Sequence, residues 1–328
     1  MRGRVLIACL LATAMLSCRK AAEQRESYPV RVLLETSATK SAASEGNAIT
    51  DILLLFVQNG KLATDPVYTS LSNASQSVEV DCGVMEVGTY SIYAYANTAH
   101  ADWLDSGVQA QEKTWTKGTV FQADRMMKVL TESNTPAVPS ETMLLTGEST
   151  MLVDITDNLG FVELSRPVVR FNVLVYNHAN VSANLTSLSF SSFNPSKGYL
   201  LPHESLPEGV EYRALPGFTD SVTLSADEGK TVFSTLLYEG SAPSYTLSAT
   251  VTMTDPSTSN LLTRSLDNVN LVMVDPDTSM PVPLTSMSRN QDLTVVINIY
   301  FQELDGSFTL SVDNTYWTTG HTSEHSFN

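Results

Sequence analysis

The chain has 328 residues, 42% of them hydrophobic, and its 35 acidic against 19 basic side chains give a formal charge of −16 at neutral pH. So acidic a surface repels phosphate backbones and argues against nucleic-acid binding, while the apolar content suffices for two buried cores. Only 16% of residues are charged and Ser and Thr are abundant, a balance that suits β-sandwich surfaces better than helix bundles.

Arg2 and Arg4 precede a short apolar run over 5–15, which Leu16-Ser17-Cys18 closes with small residues. The run is too short for a spanning helix, which needs about 20 apolar residues, and it reads as a signal peptide over 1–17. Leu16-Ser17-Cys18 resembles the lipobox of bacterial lipoproteins, which implies a lipidated Cys18 at the mature N-terminus and an anchor in the outer membrane. Durable anchoring takes more than one acyl chain, because each buried methylene contributes only about 0.8 kcal/mol. Cys9 leaves with the signal and Cys18 carries lipid, so Cys82 is alone and no intramolecular disulfide is expected. A mature chain of roughly 310 residues suits two domains better than one.

Strand signals follow in chain order. Val30, Val32 and Leu34 alternate with Arg31, Leu33 and Glu35, the period of a half-buried strand. Residues 52–57 form a continuous apolar run ending at Asn59-Gly60, so they read as a central strand followed by a tight hairpin turn. Residues 89–95, after Gly88, are another strand. The more polar stretch 103–134 reads as an insertion in which 122–130 suits one short helix.

A second block begins near residue 164, and the boundary is expected between Asn158 and Arg166. Residues 168–176 are apolar and β-branched and follow Pro167, which has no place inside a central strand. Strand spacing continues through 185–190, 222–224, 232–237 and 245–253. Leu293, Val295, Ile297 and Ile299 then alternate with polar and bulky neighbours, Asp305-Gly306 turns the chain, and Phe308, Leu310 and Val312 alternate again. Many short strands without long helices between them predict an all-β chain of antiparallel sandwiches, divided as 41–163 and 164–328 after the N-terminal segment 18–40.

The order of these features resembles the fimbrillins of Bacteroidales, the subunits of type V pili. The residues that carry the resemblance are the lipobox Cys18 and the strand 30–35 followed by small residues and Lys40. Ile52 to Val57 with Asn59-Gly60 and the glycine-led strand ending in Ala96-Asn97 come next. Arg166-Pro167-Val168 then opens the second block, and Arg289-Asn290 precedes the terminal hairpin.

The resemblance implies two transthyretin-like β-sandwich domains and assembly by donor-strand exchange. In such assembly a surface protease removes the first strand after a basic residue, and a strand of the next subunit fills the groove. Here the displaced strand would carry Val30, Val32 and Leu34, with the cut between Lys40 and Ser41. Stem fimbrillins are cut after Arg, so the Lys at this position leaves open an anchor that keeps its first strand. The donor strand is either the terminal hairpin, through Phe308, Leu310 and Val312, or the last segment, Tyr316 to Phe327, with Tyr316 and Trp317 as its large apolar groups. The implied partners are other fimbrial subunits, the outer membrane, and host or bacterial surface receptors. The other reading is a non-polymerising surface lipoprotein, either a fimbrial anchor or a binder of glycan or host ligand.

No pattern demands catalysis, a cofactor or a metal. His321 and His325 have helical metal spacing, but Thr318, Thr319 and Gly320 disfavour a helix there. His100, His178 and His203 read as surface or turn residues, and Cys82, with no His nearby, as a small hydrophobe. Asp154 and Asp157 read as turn residues flanking Asn158. Asp275-Pro276-Asp277 supplies too few oxygens for calcium. Trp103, Trp115 and Trp317 are too scattered to define a glycan-binding face. The chain is expected not to be an enzyme.

Overall fold

The computed structural model describes residues 26–36, 48–98, 115–122, 143–217, 220–242, 244–274, 280–302 and 307–317. The regular elements among them are strands. The first group is β1 (Ser27–Thr36), β2 (Ile49–Gln58), β3 (Lys61–Leu62), β4 (Val67–Ser75), β5 (Ser77–Glu86), β6 (Gly88–Ala96), β7 (Leu145–Val153) and β8 (Asn158–Leu164). The second opens with β9 (Val168–Asn177), β10 (Ala183–Pro195), β11 (Tyr212–Pro216), β12 (Val222–Leu224), β13 (Gly229–Tyr238) and β14 (Gly240–Ser241). It continues with β15 (Thr246–Thr254), β16 (Leu261–Asn270), β17 (Val272–Val274), β18 (Pro281–Pro283), β19 (Ser286–Met287), β20 (Asp292–Gln302) and β21 (Ser307–Trp317).

In the first group, a sheet ordered β5-β1-β8 faces a sheet ordered β3-β2-β6-β7, with β4 also on β2. Alternation drives the packing: Val30, Val32 and Leu34 of β1 point inward against Ile52, Leu54, Phe56, Ile92 and Val162, while Arg31 and Glu35 point out. The run 52–57 is buried on both faces, as its unbroken apolarity predicts. Ile52, Leu54 and Phe56 enter this core, and Leu55 and Val57 enter a separate cluster with Trp115, Phe121, Leu200, Leu201, Leu236 and Tyr238. That cluster joins the two groups. Asn59 and Gly60 both take positive φ, 53° and 72°, which is why this dipeptide can turn β2 into β3.

The second group places β13-β9-β20-β21-β17-β18 in one sheet and β11-β10-β15-β16, with β12 on β10, in another; β14 and β19 form a small ribbon. Its core contains Phe171, Phe190, Phe193 and Tyr245, whose rings contact one another at centroid distances of 4.6 to 5.2 Å.

The two groups share one strand plan. Each first strand, β1 or β9, pairs antiparallel with β5 or β13 on one side and parallel with β8 or β20 on the other. Each second strand, β2 or β10, pairs antiparallel with β6 or β15, which in turn pairs with β7 or β16. They differ at one edge: β21 lies against β20, whereas β8 ends its sheet among the described residues.

In the first group, four of the longer strands carry no clear signal. In β8, Asn158, Gly160, Val162 and Leu164 are buried while Leu159 and Phe161 are exposed, so apolar residues fall on both faces and the alternation cancels. Strand β4 buries no side chain fully and β5 only Val80 and Met85, and β7 mixes Gly and Thr among its inward residues. The passage between the groups is short, because β8 fills most of the stretch expected to hold the boundary. Ser165 at its start exchanges two backbone hydrogen bonds with Thr146, each 2.9 Å. The helix expected over 122–130 lies outside the described residues, apart from Gln122.

Candidate functional site

The candidate site is the slot that β1 occupies. Register places Val32 opposite Val80 of β5 and Gly160 of β8, and Leu34 opposite Val78 and Val162. Ladders on both sides make β1 an interior strand, and Val30, Val32 and Leu34 are fully buried. Gly160 fits here because a Cβ would lie only 3.0 Å from Ile92 and 3.1 Å from Met151.

Arg31 projects from the outer face of β1. Its Nη1 donates to Glu79 Oε1 at 2.7 Å and its Nη2 to Asp157 Oδ1 at 2.9 Å, so one guanidinium ties β1 to both flanking elements. These contacts were not anticipated. A lone arginine within an apolar alternating strand was the available signal, since its charge calls for carboxylates on neighbouring strands, but register is needed to say which. Asp157 does belong to the β7–β8 turn, as expected, and it also faces Arg31. Asp154 caps the same turn, accepting from Thr156 N at 2.7 Å and from the Thr156 hydroxyl, and these bonds hold its carboxyl below the usual range.

The terminal-hairpin alternative falls on β21, as do Tyr316 and Trp317 of the other, whose remaining residues lie outside the described residues. The backbone of β21 pairs Phe308 with Phe301, Leu310 with Ile299, Val312 with Ile297, Tyr316 with Thr294 and Trp317 with Leu293. Val312 packs against the second core. Strands β1 and β21 lie in different sheets, so the displaced-strand and donor-strand candidates are not brought together within one chain. Cys18, Lys40 and Ser41 lie outside the described residues, as do Trp103, His100, His321, His325 and Asp275 to Asp277.

Arg166 and Asn290, named separately in the sequence, meet in the second group. The Arg166 side chain is fully buried; Nη1 donates to Asp292 Oδ1 at 2.9 Å, Nε to Asn290 Oδ1 at 3.2 Å and Nη2 to the Asn290 carbonyl at 3.3 Å. Arg289 donates to the Tyr199 carbonyl at 2.8 Å and to Glu239 at 3.3 Å, and burial lowers its pKa. The Arg166 contacts bolt the chain before β9 to the start of β20, and those of Arg289 tie the approach to β20 to the segments after β10 and β13.

Cys82 is half-buried and reduced, and burial pushes its thiol up to about 12, so it is no nucleophile at neutral pH. His178 stacks on Tyr300 at 4.7 Å and bonds Asn298 at 2.8 Å, a packing role. Trp115 is buried edge-on against Phe121 rather than displayed. Among the described residues no group of three or more His, Cys, Asp or Glu is arranged to hold a metal, and no helix is long and apolar enough to cross a membrane.

Fold and site together define an all-β protein of two similarly wound units with an interior first strand in each. No protein-family model and no curated protein sequence matches the chain. Solved structures do. A candidate cell adhesion protein from Parabacteroides distasonis matches with a TM-score of 0.54 at 13% identity, covering 88% of this chain and 96% of that one. One from Bacteroides eggerthii gives 0.51 at 13% identity, over 88% and 95%. A fimbrilin from Porphyromonas gingivalis W83 gives 0.50 at 10% identity, over 88% and 96%. The chain shares the fold of these fimbrilin and cell-adhesion structures.

Proposed function

We propose that the chain is a structural subunit of a bacterial surface fimbria, exported as a lipoprotein through Cys18 and assembled by strand replacement at β1. The observation that carries this reading is the position of β1. It is interior to its sheet, inserts three fully buried side chains, and is joined to β2 only through the segment that holds Lys40 and Ser41. A cut there would free β1 and expose two strand edges and an apolar groove, which an incoming strand completes. The fimbrilin fold supports the same role, and β21 is the donor candidate. A second reading, a non-polymerising anchor or surface-binding lipoprotein, is favoured by the Arg31 contacts that tie β1 to both neighbours.

N-terminal sequencing and intact mass of the protein taken from its native cell surface test the proposal. A chain beginning at Ser41 supports a polymerising subunit. A lipid-modified Cys18 on the mature surface form overturns the stem role and leaves the second reading.

A further inference from the structure

Resting on the proposal that β1 is displaced, we infer that its slot selects an incoming strand by charge as well as by shape. The strand that fits carries arginine or lysine immediately after its first buried apolar residue, in the pattern apolar–basic–apolar–any–apolar, and comes from a different partner chain.

The slot itself argues for this. Three inward positions require apolar side chains, since those of Val30, Val32 and Leu34 are fully buried. Arg31, between the first two, reaches Glu79 on β5, which stands opposite Leu33, and Asp157 before β8, so the outer rim presents both carboxylates to one basic side chain. Asp81 stands opposite Arg31 in register, and Glu163 opposite Glu35, so the rim is acidic at both ends. A neutral residue entering at the Arg31 position would leave Glu79 and Asp157 facing each other across the slot without a counter-charge.

The second unit repeats the pattern of apolar and basic residues in its own first strand. Strand β9 fills the equivalent slot with Val169-Arg170-Phe171-Asn172-Val173, in which Val169, Phe171 and Val173 are buried. Arg170 Nε lies 3.9 Å from Asp292 Oδ1, at the start of the parallel neighbour β20, and Arg166 holds that same oxygen at 2.9 Å. Arg31 meets Asp157 one residue before the parallel neighbour β8, at the closer distance of 2.9 Å. A basic residue at the same place in the apolar pattern, with a carboxylate near it in each unit, supports that residue as part of what the slot reads.

Strand β21 of a second copy lacks it. Phe308-Thr309-Leu310-Ser311-Val312 matches the apolar spacing but offers Thr309 where Arg31 stands. The charge pattern therefore favours a different chain over β21 of a second copy as the source of the strand. Exposed ion pairs contribute modestly to affinity and more to specificity and encounter rate.

The test uses the full chain with a sequence-specific protease site placed in 37–47 and cut in the folded state. Fluorescein-labelled peptides of three sequences are then offered: Ser27–Thr36, the same with Arg31→Glu, and Ser307–Trp317. The expected result is binding of the first about tenfold tighter than the second at low salt, a ratio that shrinks at high salt, with the third also weaker than the first. Glu79→Lys with Asp157→Lys in the chain should reverse the preference, and circular dichroism confirms that this variant is folded. Equal binding of the first two peptides overturns charge selection while leaving strand replacement intact. Tighter binding of the Ser307–Trp317 peptide overturns the choice of a different chain. Failure of every peptide to enter the cut chain overturns strand replacement, and this inference with it.

Discussion

Arg166 and Asp292 hold each other at 2.9 Å where the guanidinium has no contact with solvent. The pair spans the passage into the second unit and the first residue of β20, so it joins two segments far apart in sequence. Asp292→Ala would leave a buried positive charge without its counter-charge, and the expected loss is about 3–5 kcal/mol. Urea unfolding of the full chain measures it, and a loss below about 1 kcal/mol would show that Asn290 alone satisfies Arg166.

Strand β1 gives a contrast within one sheet. Leu34→Ala removes a fully buried side chain and should cost about 2–5 kcal/mol, whereas Leu159→Ala on β8, whose side chain faces outward, should stay within about 0.5 kcal/mol. Thermal melts of the two variants decide whether the inward row, and not strand apolarity in general, holds this sheet.

The Cys82 thiol should resist alkylation in the folded chain, since burial raises its pKa to about 12. Iodoacetamide at pH 8 should label it far more slowly in buffer than in urea. The sign of the linkage follows: a raised folded pKa leaves the contribution fully present below the unfolded value near about 8.5 and loses it as pH rises toward 12. Cys82→Ala should therefore flatten the fall in stability between those limits.

Asp255 has the opposite sign. Its carboxylate accepts from the Thr258 hydroxyl at 2.7 Å, the Ser257 hydroxyl at 2.7 Å and the Ser257 N–H at 2.8 Å, which lower its pKa to about 2. The contribution is present above the unfolded value near about 3.9 and lost as pH falls through 2. The melting-temperature gap between the natural chain and Asp255→Ala should be open at pH 5 and close as pH approaches 2.

The first strand, the doubly buried run 52–57, the Asn59-Gly60 turn and β9 were legible because each has a local cause: a period of two, an unbroken apolar run, or a dipeptide that tolerates positive φ. The candidate site was legible only on its inner face. Val30, Val32 and Leu34 announced themselves by alternation, but Glu79 and Asp157 are ordinary acids among 35 until register sets them beside Arg31.

Sequence alone determined that this chain is all-β, where its strongest strands lie and which side chains of β1 face inward, since backbone period and burial are properties of a single segment. Tertiary structure decided that β1 is an interior strand, that two units repeat one plan, and which charges meet across the slot. Those follow from pairing between distant segments, as with Arg31 and its two partners Glu79 and Asp157, whose separations are 48 and 126. Partner and register at that range are set by the competition of all strands for one packed arrangement, which no local pattern contains.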